Sequence, residues 1–335
     1  MSSYRDYAIC KTVNEIINYI KAFNPERILI QGADGFKNRL LAIKESILRA
    51  NPTVDVIIDG DKCYGACDLP IDKIPKLKID LLVHIGHTPF KYDHKHVLVP
   101  VIYVPLYYEK VELREDLLQE IFDLCSNYRV KFLYSIQYYP IYKWILSKIF
   151  RCKKASTLIK DSQSLVLGCN IPKVVKDTGN IDLFIVISSG IFHALGVAIW
   201  TGKKTILLDV HREQLIDMEK ERKRILSIIA TRIEKAKSAK KFGVITVNKS
   251  GQFNLDLSLQ VCKRLHQMGK KVYHIILSEV TEENLQYFID LDAFIQTGCP
   301  RISIDDQERF SRPILNYEQY LILIGEKRFE EVYPL

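Results

Sequence analysis

Three small α/β domains follow from three features of this chain. Short apolar, β-branched runs alternate with helical stretches, the pattern of parallel strands buried on both faces. An apolar segment with aspartate in second place recurs three times: Ile79-Asp80-Leu81-Leu82-Val83, Ile181-Asp182-Leu183-Phe184-Ile185 and Leu291-Asp292-Ala293-Phe294-Ile295, spaced by 102 and then 110 residues. The length, 335 residues, exceeds what a single core of ordinary size requires. The expected fold class is α/β, with three similar domains, each a parallel sheet flanked by helices, arranged with pseudo-threefold symmetry around one common site. The expected domains are 1–110, 111–211 and 212–335, the last beginning with a basic linker helix.

Each copy presents the same order of elements. An opening strand is expected at Arg27–Gln31, Lys131–Ile136 and Phe242–Val247. A helical stretch follows, then a second strand at Val54–Ile58, Ser164–Gly168 and Lys271–Leu277. The Asp-marked strand is third. A fourth is clear at Val101–Val104 and Thr205–Val210, and fainter around Pro313–Leu315. The stretch Arg212–Lys241 reads as one helix, with Leu215, Met218, Ile225, Ile229 and Ile233 forming an apolar stripe. Its basic remaining face suits either solvent or an acidic protein partner.

The composition is that of an ordinary globular protein, with 47% hydrophobic and 26% charged residues. The net charge of +8 is modest and spread along the chain, which favours an acidic partner or substrate without requiring nucleic acid. Met1–Asp6 lacks the apolar core of an export signal, so a cytoplasmic location is expected. The apolar stretch Ile181–Trp200 contains Asp182, the Ser188-Ser189-Gly190 break and His193; it reads as strand, loop and helix, not as a membrane span.

Eight cysteines are present, and a reducing compartment disfavours disulfides. Cys125 and Cys262 fall in apolar helical patterns and read as core residues. Three others lie where α/β sheets bind ligands, beyond the C-terminal ends of strands. These are Cys67 in Tyr64-Gly65-Ala66-Cys67-Asp68, Cys169 in Leu167-Gly168-Cys169-Asn170, and Cys299 in Thr297-Gly298-Cys299-Pro300-Arg301. One thiolate from each repeat suits an iron–sulfur cluster, and three ligands on a [4Fe–4S] cube leave one iron open to a substrate amine and carboxylate. Zinc is the competing reading: Cys63 and Cys67 make one close pair, but no second pair occurs.

These motifs, with Leu82-Val83-His84-Ile85-Gly86-His87, Gln137, Phe192-His193 after Gly190, Lys249 before Gly251-Gln252, Arg301-Ile302-Ser303-Ile304-Asp305-Asp306 and Pro313-Ile314-Leu315, resemble the diphthamide synthase family, whose archaeal form is 2-(3-amino-3-carboxypropyl)histidine synthase. The resemblance spans nearly the whole chain. It implies that Cys67, Cys169 and Cys299 hold a [4Fe–4S] cluster and that Cys63 is a bystander. It implies that S-adenosylmethionine (SAM) is cleaved reductively at its sulfur–Cγ bond. The 3-amino-3-carboxypropyl group then passes to a histidine of elongation factor 2, the first step of diphthamide synthesis. A homodimer and an electron donor of unspecified identity are further implications. Arg301 is expected to hold the SAM carboxylate, Gln252 with Gly251 and Gly190 to line its site, and His193 to face the reacting groups. His84 and His87 carry no assigned role, because the chain continues Thr88-Pro89 where the family commonly has Ser-Cys. Two alternatives stand beside this reading: a quinolinate synthase-like [4Fe–4S] condensation enzyme, and a non-catalytic electron-delivery or scaffold subunit.

Overall fold

A computed structural model describes residues 9–89, 97–108, 112–149, 164–176 and 179–335. Cys152 and the Met1–Asp6 segment lie outside the described residues. The chain divides into two compact units. The first comprises Met1–Glu112, Ile136–Trp144 and Lys249–Gly251, and the second Leu113–Ser135, Ile145–Asn248 and Gln252–Leu335.

The first unit is built on one parallel sheet. Its strands are β1 (Arg27–Gly32), β2 (Asp55–Ile58), β3 (Leu81–Ile85) and β4 (Val101–Val104), in the order β2-β1-β3-β4. Ile28, Leu29 and Ile30 of β1 and Leu81, Leu82 and Val83 of β3 are fully buried, as central strands covered on both faces must be. The helix Lys37–Ala50 turns Leu40, Ile43 and Ile47 inward at three- and four-residue spacing.

The second unit contains two sheets. One carries β5 (Val130–Tyr134), β6 (Leu183–Ser188), β7 (Lys204–Asp209) and β8 (Gln214–Asp217), in that order. The other carries β9 (Lys241–Val247), β10 (Lys271–Leu277), β11 (Ala293–Gln296) and β12 (Ile314–Leu315), in the order β10-β9-β11-β12. The first and third sheets thus share one topology. Helix Glu219–Lys237 buries Ile225, Leu226, Ile229, Ile233 and Ala236 in the core that also holds Phe242 and Val244.

Four sequence expectations need correction. The second strand of the middle repeat, Ser164–Gly168, reduces among the described residues to one parallel bridge between Leu165 and Tyr134. The Asn170 side chain explains the loss: it accepts from the Leu167 N–H at 2.6 Å and donates to the Leu165 carbonyl at 3.0 Å, making a local turn in place of a ladder. The stretch 212–241 is not one helix. Its start, carrying Leu215, is β8, which runs antiparallel to the edge of β7. On the helix itself, Arg222, Lys223, Arg224 and Lys237 each pair with a glutamate one turn away. β10 is not covered on both faces, for only Ile275 is buried along it while Tyr273 and Ile276 are exposed. Finally, the Asp-marked strands each begin one residue after the aspartate, because the aspartates do other work.

Asp80, Asp182 and Asp292 are clamps at the N-terminal edges of the sheets. Asp80 accepts the backbone N–H groups of Glu26 and Arg27 at 3.1 and 2.8 Å. Asp292 accepts those of Lys240 and Lys241 at 2.8 Å each. Asp182 accepts the Arg129 N–H and is forked by its guanidinium, which holds the carboxyl well below the usual carboxylate range. The recurring aspartate therefore fixes where each opening strand starts, at the end of the sheet away from the cysteines. Asp80→Ala is expected to lower stability by roughly 1 kcal/mol, the two hydrogen bonds being discounted for their exposure. A thermal melt checks this, with iron content unchanged.

The apolar stretch Ile181–Trp200 is β6, a turn and the helix Phe192–Thr201. Among the described residues no helix is long and apolar enough to cross a membrane.

Candidate functional site

Cys67 sits in the loop after β2, and the segment Lys249–Gly251 is folded onto it. The Gly251 N–H donates to the Cys67 carbonyl at 2.8 Å. A Cβ at position 251 would stand 2.7 Å from the Cys67 Cα, so only glycine allows this approach. Ser250 Oγ accepts from the Leu69 N–H and donates to the same Cys67 carbonyl. Lys249 Nζ meets both carboxylate oxygens of Asp68, at 3.1 and 3.0 Å, in a largely buried pair, and lies over the Tyr64 ring. Gly251 is therefore first a support for Cys67. Gly251→Ala is expected to displace the Cys67 backbone and to cut iron loading by more than half, read as iron per folded chain.

Behind this loop runs a chain of buried polar groups. Gln31, at the end of β1, donates from Nε2 to the Asp68 carbonyl at 2.7 Å. That orients its Oε1 toward His84 Nδ1, 2.8 Å away, so His84 carries its proton on Nδ1. His84 Nε2 then accepts from His87 Nδ1 at 2.9 Å. Burial pushes the pKa of His84 down to about 3 and that of His87 to about 4, so both rings are neutral at physiological pH. Gly65 lies between these groups and Cys67: a Cβ there would be 3.8 Å from Cys67 Sγ and 4.0 Å from His87 Nε2. Gln137 donates to the Gly86 carbonyl at 3.0 Å, which ties down the turn carrying His87. Cys63 is buried, and that burial raises its thiol pKa to about 12.

In the second unit, Arg301 links two cysteine loops. It follows Cys299 by two residues, and its Cγ lies 3.4 Å from where a Cβ on Gly168, the neighbour of Cys169, would stand. The side chain is 4% exposed. Its guanidinium stacks on Phe192 with Cζ 4.2 Å from the ring centroid, and Nη2 donates to the Phe192 carbonyl at 2.7 Å and to Asp305 at 2.5 Å. Two glycines make room: a Cβ on Gly168 would strike Phe192 at 2.7 Å, and one on Gly196 would strike Arg301 Nη1 at 2.5 Å. Nε and Nη1 of Arg301 and Oδ2 of Asp305 are buried without a hydrogen-bond partner among the described residues. Burial raises the Asp305 carboxyl to about 6 against the opposing pull of Arg301.

The Cys299 loop is held by its own neighbours. Gln296 Nε2 donates to the Cys299 carbonyl at 2.8 Å, its Oε1 accepts the Gly298 N–H, and Asn316 donates to the Pro300 carbonyl. Gln252 Oε1 would lie 3.3 Å from a Cβ on Gly298, which puts Gln252 beside this loop. His193 is partly buried and meets the Phe192 ring edge-on at 4.9 Å. Gly190 has φ +68° in the turn after β6, a backbone shape that favours glycine. Cys169 is exposed, Cys67 and Cys299 are partly exposed, and all are thiols.

The first unit thus gathers Cys67, Gly251, Lys249, His84 and His87, and the second gathers Cys169, Cys299, Arg301, His193 and Gln252. Sequence reasoning missed Gln31, Gln296, the Asp68–Lys249 pair and the stacking of Arg301 on Phe192. The two glutamines had a readable signal, since each is a lone polar residue closing an apolar strand.

Comparison with known proteins agrees over nearly the whole chain. The family profile described as a putative diphthamide synthesis protein matches residues 33–334. A 2-(3-amino-3-carboxypropyl)histidine synthase from Pyrococcus horikoshii is 31% identical over 330 residues, covering 95% of this chain and 92% of the relative. Its counterpart from Methanocaldococcus jannaschii is 26% identical over 96% of this chain and 92% of its own. The crystal structure of Pyrococcus horikoshii Dph2 with a 4Fe-4S cluster superposes with a TM-score of 0.81 at 27% identity, covering 99% of this chain and 95% of that one. The cysteine-bearing loops described above therefore lie on a fold and a sequence similar to these proteins over nearly the whole chain, and the chain belongs to the diphthamide synthesis protein family.

Proposed function

We propose that this chain is a 2-(3-amino-3-carboxypropyl)histidine synthase: it transfers the 3-amino-3-carboxypropyl group of SAM to a histidine of elongation factor 2, the first step of diphthamide biosynthesis. The observation that carries the reading is the 31% identity to such a synthase across 95% of the chain. The donor set fits a [4Fe–4S] cluster. Cys67, Cys169 and Cys299 are thiols on glycine-bordered loops, and Arg301, between the Cys169 and Cys299 loops, has two buried donors without a partner among the described residues, as a site awaiting an anionic ligand would. When bound, the cluster supplies one electron and an open iron for the methionine amine and carboxylate, which allows the sulfur–Cγ bond to break.

The chain's own residues position and shield the reactants. Nε and Nη1 lie on different edges of the guanidinium, and Nη2 is already engaged. Arg301 therefore offers the SAM carboxylate one charge-assisted hydrogen bond plus its positive charge, while Phe192 and Asp305 hold the group in place. Gln252, next to the Cys299 loop, adds a polar contact to SAM. Gly190 gives the turn before Phe192 its shape, and His193 faces the acceptor imidazole. Gln252→Ala is expected to raise the KM for SAM several-fold with little change in kcat, as removal of a uniform binding contact does.

We assign the chain to the cytoplasm, where its protein substrate works, and to a homodimer. What supports the dimer is that β10 is an edge strand with Tyr273 and Ile276 exposed along it. Ile276→Glu is expected to shift the sedimentation coefficient toward the monomer. The 1–110, 111–211 and 212–335 division remains our reading of the three repeats.

The primary test is anaerobic purification, iron and sulfide analysis, and EPR after dithionite with and without SAM. About four irons per chain, a signal altered by SAM and label transfer from SAM to elongation factor 2 are expected. A cluster indifferent to SAM, with condensation of iminoaspartate and dihydroxyacetone phosphate, would replace this reading with a quinolinate synthase-like one. A SAM-responsive cluster that never transfers label alone would indicate an electron-delivery subunit.

A further inference from the structure

We propose that Cys63, His84 and His87 form a second metal site, separate from the iron–sulfur ligands, that takes a zinc ion. A ligand atom from each of the three lies within 4.8 Å of the others. The set is one thiol and two neutral imidazoles, a borderline-soft combination matched to zinc and poorly matched to calcium or magnesium. All three belong to the first unit.

The surroundings are those of a metal site more than of an apolar core. Cys63 is buried in a polar loop, between Asp61-Lys62 and Tyr64-Gly65, and its Sγ makes a weak contact to the Gly65 carbonyl at 3.8 Å. His84 is fully buried, and its Nδ1–H is committed to Gln31, whose own amide is anchored on the Asp68 carbonyl. This fixes the tautomer that leaves the Nε2 lone pair directed at His87. An imidazole held through its distal N–H by an amide or carbonyl oxygen is the usual support for a ligating histidine. The present 2.9 Å separation of His84 Nε2 and His87 Nδ1 needs to open by only a few tenths of an ångström, because two nitrogens on a tetrahedral zinc stand roughly 3.3 Å apart.

Binding balances simply. The Cys63 thiol releases its proton to solvent as the sulfur–zinc bond forms. The His87 ring proton moves from Nδ1 to Nε2, freeing Nδ1 to ligate. Three protein ligands leave a fourth position for water. The ion would join the Cys63 loop to the end of β3 and to the turn after it. Cys67 lies four residues further along that loop and is held by its own contacts to Gly251 and Ser250, so its hold on iron does not depend on the ion.

The test uses the full-length, anaerobically purified, cluster-loaded protein with equimolar zinc. Expected are one zinc per chain and a zinc-edge X-ray absorption shell of one sulfur at about 2.3 Å with nitrogen or oxygen at about 2.0–2.1 Å. Cys63→Ser and, separately, His84→Gln are expected to lose zinc at least tenfold in a chelator competition while keeping their iron. Gln31→Leu is expected to weaken zinc about 10–100-fold through loss of the outer hydrogen bond. The proposal is overturned by absent zinc, by a shell of two or more sulfurs, or by Cys63→Ser binding zinc as the parent does. Zinc and iron are counted separately, so failure here leaves the proposed reaction untouched, and failure of the reaction leaves this site standing.

Discussion

Cys67→Ser is expected to yield a folded chain with almost no iron and with transferase activity reduced at least about a thousand-fold. A serine hydroxyl is a hard, protonated ligand at neutral pH and does not replace a thiolate on iron. The backbone around position 67 does not depend on the sulfur. It is held by the Gly251 N–H, by Ser250 and, one residue on, by the Asp68–Lys249 pair. Far-UV circular dichroism and the melting temperature should therefore stay close to those of the parent while iron per chain falls from about four to below about one. Cys63→Ser is the matched control, a thiol in the same loop whose loss should spare the iron. Equal iron loss in both variants would show that the loop as a whole, and not Cys67, carries the cluster.

The second large effect is expected at Arg301. Arg301→Lys should weaken SAM binding to the cluster-loaded protein by about 10–100-fold, the worth of a charge-assisted hydrogen bond of roughly 1.5–3 kcal/mol. Lysine keeps a positive charge but loses the planar face that stacks on Phe192 and the geometry that bonds Asp305 and the Phe192 carbonyl together. Asp305→Asn separates support from binding. It keeps an acceptor for Nη2 but removes the competing charge, so SAM affinity should hold or rise. Equilibrium dialysis with labelled SAM measures both variants. Unchanged affinity in Arg301→Lys, with iron content normal, would remove Arg301 from the SAM site.

Much of the fold was legible along the chain. Ile28-Leu29-Ile30 and Leu183-Phe184-Ile185 announce buried strands because runs of this kind have few other places to go. The Gln214–Asp217 segment did not announce itself: four residues fit the end of a strand or the start of a helix equally, and the free edge of β7 decided between them. At Ser164–Gly168 the reverse happened, and one asparagine diverted a strand-like run into a turn. The repeated aspartate was visible as a pattern but not as a clamp, since its partners lie some fifty residues earlier in the chain.

The site divided in the same way. Strand-end cysteines with adjacent glycines could be read directly because turn chemistry depends on nearby sequence. The hold of Gly251 on Cys67, the Phe192 face under Arg301 and the Gln31–His84–His87 chain could not. Each joins segments far apart in sequence, and what matters in each is burial. Once water is excluded, a lone polar group must find a partner or stay costly, and only the folded chain determines which distant group is near enough to serve. Strands, their repeat and the residue types available for chemistry are written along the chain; which of those residues face one another away from water depends on how distant segments pack.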